Sequence, residues 1–303
     1  MRSQRCEGAR GALKKQGYQF FSPESTAAVK PCMWNKRSLK GGEMCYKNRF
    51  YGITSHRCVQ MTPTLRCNQR CRFCWRSFEH EVEEVEECPP EVILENVRRL
   101  QKRALSGYKV SRYVSKERFA EALDPDMVAV SLSGEPTLYS RLAELIDGFN
   151  AEGFTTFLVT NGTRPEMLAR CRPFQTYVSV DAPDRGTYLD LCNPDEDYWD
   201  RIMESLDLLS SRRSAIRTTV VKGLNDIDAA GYAAIYERSR PTYIEVKGYM
   251  YLGYSRKRLE RENMPDHAEV RAFAEEIAAH CSYEITDESP ISRVVLMERR
   301  GDE

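Results

Sequence analysis

No stretch of this 303-residue chain stays apolar for anything near the ~20 residues that a membrane-spanning helix needs. The N-terminus, Met1-Arg-Ser-Gln-Arg-Cys-Glu-Gly8, carries charge but no apolar core, so a secretory signal is not expected. Neither sign of charge is in excess: 45 Lys and Arg face 45 Asp and Glu, which argues against a generally adhesive nucleic-acid binder. Mean hydropathy is negative. Together these absences describe a soluble, cytoplasmic chain of one large or two smaller α/β domains, with no membrane partner. In such a chain the eleven cysteines point to metal or redox chemistry rather than to a disulfide frame.

The cysteines are unevenly placed. Cys67, Cys71 and Cys74 stand at Cys-x3-Cys-x2-Cys spacing in one short loop, directly after an apolar stretch, Val59–Pro63, that reads as a strand. Thiolates are soft ligands suited to zinc, Cu(I) or iron–sulfur clusters. A closed structural zinc site takes four protein ligands, and this loop supplies three. Three thiolates can hold a four-iron cluster and leave one iron open to a substrate. A zinc knuckle short of its fourth ligand, or a cluster of buried thiols, is the plainer alternative. A second triad, Cys32, Cys45 and Cys58, has equal spacing in a Gly- and Lys-rich segment feeding into the same strand. It too lacks a fourth thiol, and His56 is a possible replacement ligand. Cys6, Cys88, Cys171, Cys192 and Cys281 read as ordinary small thiols.

Residues 1–30 read as an extension with one helix, and 31–58 as loop. After Pro89-Pro90, Ile93, Leu94, Val97, Leu100 and Ala104 recur at helical spacing. Apolar strands are then expected at 127–132, 154–159, 177–180, 216–221 and 243–246, separated by helices that carry Leu142 to Phe149, Trp199 to Leu209, residues 228–239 and residues 267–280. A last strand is expected at 291–297. Continuous apolar strands alternating with amphipathic helices imply a parallel sheet covered by helices. Six such units imply a partial (β/α)6 barrel, with an N-terminal cysteine-containing extension over 1–57 and the barrel over 58–303. Polar residues fall where the strands end, the side on which α/β barrels place their chemistry. These are Ser133-Gly134-Glu135, Asn161, Ser179, Asp181 and Asn225; each taken singly also suits a turn or helix cap.

Charge is segregated. Residues 98–118 hold eight Lys and Arg against one acid, and 79–91 hold seven Glu and no Lys or Arg. Arg256, Lys257, Arg258 and Arg261 form a second basic set. Such faces bind phosphates or merely meet solvent.

The Cys67–Cys74 loop, with Phe73 before its last thiol, resembles the signature of the radical S-adenosylmethionine (SAM) superfamily, and Ser133-Gly134-Glu135-Pro136 resembles its Gly-Gly-Glu turn with Ser in the first place. The runs Cys45–Cys58, Cys71–Arg76, Ser133–Thr137, Ser179–Pro183 and Glu245–Tyr251 are together similar to the tRNA 4-demethylwyosine synthase family over roughly residues 30–300, in its short archaeal form without a flavodoxin-like domain. The resemblance implies two 4Fe-4S clusters, one on Cys67, Cys71 and Cys74 and an auxiliary one on Cys32, Cys45 and Cys58. It implies SAM bound at the Ser133-Gly134-Glu135 turn beside the Phe73 loop, and the strand-end positions of Asn161, Ser179 and Asp181 make them further expected SAM contacts. It implies conversion of N1-methylguanosine in tRNA-Phe with pyruvate as two-carbon donor, Lys47 matching the lysine that binds pyruvate as an imine. A deoxyadenosyl radical would take hydrogen from the N-methyl group, whose carbon then attacks pyruvate. An external electron donor such as flavodoxin or ferredoxin and a monomeric state are expected. Arg76, Tyr249, Tyr251, Tyr254 and Arg256 are expected around the mouth that receives the base. The alternatives are a radical SAM enzyme acting on another RNA, a peptide or a small molecule, and a non-catalytic zinc-binding RNA protein. The last would stay colourless on anaerobic reconstitution with iron and sulfide.

Overall fold

The computed structural model describes residues 2–78 and 83–301, and the start of the acidic run at 79–82 lies outside them, as does the Cys6 side chain. The chain divides into two compact units, each built from separate segments. The first unit comprises 1–67, 78–159 and 170–174; the second comprises 68–77, 160–169 and 175–303.

The first unit opens with α1 (Arg2–Lys15), then two short strands, β1 (Gln19–Phe20) and β2 (Ala28–Val29), which pair antiparallel. The segment expected to be loop is helical, with α2 (Met33–Leu39) and α3 (Tyr46–Tyr51). Helices of seven and six residues are too short to show a hydrophobic period, which is why the sequence conceals them. β3 (Cys58–Thr62) pairs antiparallel with β2. Then follow α4 (Pro90–Leu105), α5 (Lys116–Ala122), β4 (Met127–Val130), α6 (Leu142–Ala151) and β5 (Thr155–Thr160). β3, β4 and β5 run parallel, in the register Val59–Val128–Thr156. The expected helix after Pro90 is borne out: Ile93, Val97 and Leu100 are buried along one side of α4.

The second unit follows the same alternation: α7 (Pro165–Arg170), β6 (Gln175–Ser179), α8 (Arg185–Cys192), α9 (Trp199–Asp207), β7 (Ser214–Val220), α10 (Ala229–Ser239), β8 (Tyr243–Gly248), α11 (His267–Ala278), β9 (Tyr283–Ser289) and β10 (Val294–Arg299). β6, β7 and β8 are parallel, and β10 returns antiparallel between β8 and β9. Two elements escape the sequence reading. α8 is one, a short helix capped by the Asp184 side chain on the Thr187 N–H. β9 is the other, whose charged Tyr283-Glu-Ile-Thr-Asp-Glu-Ser289 run suits an edge strand: among the described residues β10 is its only strand partner.

Candidate functional site

In the first unit the auxiliary triad is set by local structure. Cys32 is the N-cap of α2, its sulfur accepting the Asn35 N–H at 3.3 Å. Cys45 caps α3, and its own N–H donates to Ser55 Oγ at 2.9 Å. Cys58 begins β3. The Asn35 side chain, wholly buried, ties these pieces together by donating to the carbonyls of Ser55, His56 and Cys58. Cys58 lies among Cys32, Lys47, Cys45 and Asp126, and burial pushes its thiol well up, with the other two thiols reinforcing the shift and Lys47 opposing it. Burial raises Cys32 as well. Three half-buried soft donors, two of them with thiols held up by burial, are a fitting set for a thiophilic metal.

Lys47, on the first turn of α3, is half-buried, with Nζ 5.0 Å from the centre of the Phe157 ring in β5. His56 is not a stand-in ligand. Its ring nitrogens are taken by Ser38 Oγ at 3.0 Å and Glu121 Oε2 at 2.5 Å, and it packs α2 against α5.

The turn after β4 belongs to the same unit. Gly134 takes a left-handed backbone (φ +80°), and a Cβ there would overlap the carbonyl oxygens of Thr64 and Arg66 just before Cys67. Only glycine lets the two segments approach so closely. Glu135 donates its N–H to the Arg66 carbonyl at 2.7 Å; its buried carboxylate accepts the Thr137 N–H and hydroxyl through Oε1. The Ser133 carbonyl accepts from Thr62 Oγ1 at 2.6 Å, and its hydroxyl stands 3.4 Å from Tyr18. Arg66 is fixed from the other side by Glu84, a buried carboxylate that also accepts from Thr26 and Thr64. Part of the acidic run is therefore a structural latch.

In the second unit, residues 68–77 are held on several sides. Along α8, the Arg70 and Arg72 N–H groups donate to the carbonyls of Cys192 and Leu191, and the Asp195 N–H donates back to Asn68. Gln69 Nε2 reaches Tyr188 at 3.1 Å. Asn68 and Asn161 bond each other at 2.9 Å and share Thr163. Asn161 thus sits as an Asx turn bracing the loop. Gly253, also left-handed, lies under Trp75, whose carbonyl accepts the Tyr254 N–H. The Arg258 guanidinium donates to the carbonyls of Arg72, Cys74 and Arg76.

That last arrangement corrects the reading of Arg258 as part of a solvent-facing basic set: it is a clamp on the cysteine loop. Tyr249 is likewise corrected, since it is buried with Leu191, Val221 and Leu259 and cannot stack on a base; Phe73 packs against this cluster. Cys71 hydrogen-bonds Cys192, and that bond together with burial holds its thiol well up. Cys74 is raised by burial, opposed by Arg76. Cys192, Cys88 and Cys171 are buried and Cys281 half-buried, as ordinary thiols are, but Cys192 also touches the loop.

Asp181 is buried at the end of β6, with Oδ1 accepting the Thr219 N–H at 2.6 Å; burial pushes its carboxyl up to about 6. Asn225 is wholly structural, donating to the carbonyls of Asp181 and Thr219. Ser179, Arg217 and Glu245 form one row across β6, β7 and β8. Glu245 is fully buried and pairs with Arg217 at 3.0 Å. Sequence reasoning missed Arg217, whose only signal was a lone cation in an apolar strand.

Among the described residues, no three His, Cys, Asp or Glu side chains close on one point as a bound ion would require. What fits these residues to a soft metal is thus their chemistry and neighbourhood rather than a coordination geometry.

Residues 61–233 match the model of the radical SAM superfamily, and 238–299 match a family described as wyosine base formation. The chain is 41% identical over 299 residues to the S-adenosyl-L-methionine-dependent tRNA 4-demethylwyosine synthase of Methanocaldococcus jannaschii, covering 95% of each chain. It is 44% identical to the enzyme of that name from Pyrococcus abyssi, covering 95% of this chain and 87% of the other. Among solved structures, TYW1 with a lysine–pyruvate adduct bound superposes with a TM-score of 0.89 at 40% identity, covering 97% of this chain and 96% of that one. An archaeal TYW1 crystal structure gives 0.80 at 37% identity, with the same coverage.

Proposed function

This chain belongs to the tRNA 4-demethylwyosine synthase family of radical SAM enzymes, and on that premise we propose that it converts N1-methylguanosine next to the anticodon of tRNA-Phe to 4-demethylwyosine, with pyruvate as two-carbon donor. The observation that carries the reading is the gathering of Cys32, Cys45, Cys58 and Lys47 in one neighbourhood. A solved relative at 40% identity holds a lysine–pyruvate adduct, and Lys47 stands close enough to Cys58 to oppose the rise of its thiol. Two 4Fe-4S clusters, on Cys67, Cys71 and Cys74 and on Cys32, Cys45 and Cys58, are the resident groups of this reading. Bound on the first triad, such a cluster supplies the electron that splits SAM.

The chain's own residues do the rest. On this reading residues 58–303 form a partial (β/α)6 barrel, and Phe73, Ser133, Gly134, Glu135, Asn161, Ser179 and Asp181 are assigned to SAM. Gly134 removes the Cβ that would hold the turn off the segment before Cys67. The Lys47 amine attacks the keto carbon of pyruvate, water leaves, and the imine holds the substrate with its former keto carbon open to attack. Arg258 keeps the cysteine loop in shape while its thiols exchange protons for metal. An external flavodoxin or ferredoxin as electron source, a monomeric state and a cytoplasmic location complete the proposal.

Cyanoborohydride trapping tests it. With pyruvate present, the reduced adduct should map to the peptide containing Lys47. Lys47→Ala should lose both adduct and product while keeping its iron. An adduct at Lys40 or Lys247, or product from the alanine variant, would remove Lys47 from the mechanism.

A further inference from the structure

We propose that residues 102–116 form a dedicated RNA-docking lobe, gripping phosphates with exposed cations and a base with Tyr113; this rests on the RNA substrate proposed above. The stretch holds Lys102, Arg103, Lys109, Arg112 and Lys116 and no Asp or Glu, in a chain whose charges cancel overall. All five cations are exposed. Among the described residues, Lys102, Arg103, Lys109 and Arg112 have no carboxylate partner, and Lys116 has only its neighbour Glu117. The flanking cations differ. Arg98 pairs with Glu152, and Arg118 donates to the Ser38 carbonyl at 2.8 Å, so both are absorbed by the fold.

The lobe is built rather than loose. Tyr108, Val114 and Phe119 pack inward on Leu39, Leu105 and Ala122. Successive turns close through Lys109 N–H to Ser106, Ser111 N–H to Tyr108 and Val114 N–H to Ser111, and the Ser115 N–H donates to the Leu39 carbonyl. With those side chains spent inward, Val110 and Tyr113 are left 89% and 63% exposed at the tip. The Arg112 guanidinium lies 4.8 Å from the Tyr113 ring centre and donates to its hydroxyl at 2.6 Å. A merely solvated helix face has no reason to present an aromatic ring and a valine among its charges. An Arg–Tyr platform flanked by lysines is what stacking on an unpaired base and gripping its phosphates requires.

The test is fluorescence anisotropy with a labelled tRNA-Phe transcript across a salt series. Changing Lys102, Lys109 and Arg112 together to Glu should weaken binding at least tenfold at ~0.15 M salt and make log K against log[salt] shallower by about one for each lost phosphate contact. The same three changed to Gln should act in the same direction, less strongly. Tyr113→Ala should weaken binding several-fold with the salt slope unchanged, as loss of stacking without loss of charge demands. Iron content and melting temperature should match the parent in each case. Unchanged affinity and slope would return the lobe to a solvated face. Unchanged tRNA binding with slower reduction by an acidic donor protein would make it a protein-docking surface. Either outcome overturns this proposal and leaves the proposed reaction standing, because the parent protein would still convert the modified tRNA. Failure of the parent to do so would sink the reaction itself, whatever the lobe binds.

Discussion

At the scale of single residues, what decides whether a side chain's role can be read from sequence is how far away its partners lie. The Cys67, Cys71 and Cys74 loop and the turn at Glu135 stand out in the sequence because each pattern is contained within a few positions, whereas Cys32, Cys45 and Cys58 are noticed only through their equal, wider spacing. Asp181 is legible only as a polar residue at a strand end; its burial becomes evident when β7 is laid beside it and the Thr219 N–H reaches its oxygen. That burial has a testable sign. Its carboxyl is pushed from 3.8 to about 6, with desolvation the leading cause. A native pKa above the unfolded one means the folded chain binds the extra proton between those values, so stability is greatest below pH ~4 and falls as pH rises through 6. The shift corresponds to about 3 kcal/mol for this one group. Denaturation midpoints measured anaerobically from pH 4 to 7 should therefore fall less steeply for Asp181→Asn than for the parent. Parallel slopes would show that Asp181 is not held in a desolvated site.

At the scale of elements, the main strands and helices follow the hydrophobic pattern, and the misses share a cause. α2 and α3 are shorter than two turns, α8 is eight residues with its apolar spacing confined to Tyr188, Leu191 and Cys192 at its end, and β9 is charged. None of these carries the continuous apolar run or helical stripe that sequence reading relies on. Yet α8 is what residues 68–72 are hung upon, and Arg258, some 180 positions away in sequence, closes the loop from the other side. A run of basic residues gave no sign that one of them turns inward. Hydrogen bonds from a charged donor contribute about 1.5–3 kcal/mol each, and three carbonyls converge on this guanidinium. Arg258→Ala should lower the melting temperature and reduce iron per chain towards what the Cys32, Cys45 and Cys58 triad alone retains. Arg258→Lys should rescue little, because an ammonium lacks the planar fork that reaches three acceptors. Full iron retention in the alanine variant, measured after anaerobic reconstitution, would show that the clamp is dispensable for the loop.

At the scale of the whole molecule, the chain divides its tasks among sets of residues that the sequence already separates. In the proposed reading one triad and the Ser133-Gly134-Glu135 turn are assigned to SAM, the other triad and Lys47 to the keto acid, and an uncharged total conceals the basic lobe proposed for RNA. Membership of the family fixes the class of chemistry, whereas the identity of both substrates is the claim on which the account stands. The most direct test is anaerobic turnover with SAM, a reductant, pyruvate labelled with carbon-13 and tRNA-Phe carrying N1-methylguanosine, followed by mass spectrometry of the digested nucleosides. The account predicts loss of N1-methylguanosine and appearance of the tricyclic nucleoside bearing two labelled carbons. SAM cleavage proceeding while N1-methylguanosine survives, or a tricyclic product that carries no label, would contradict it.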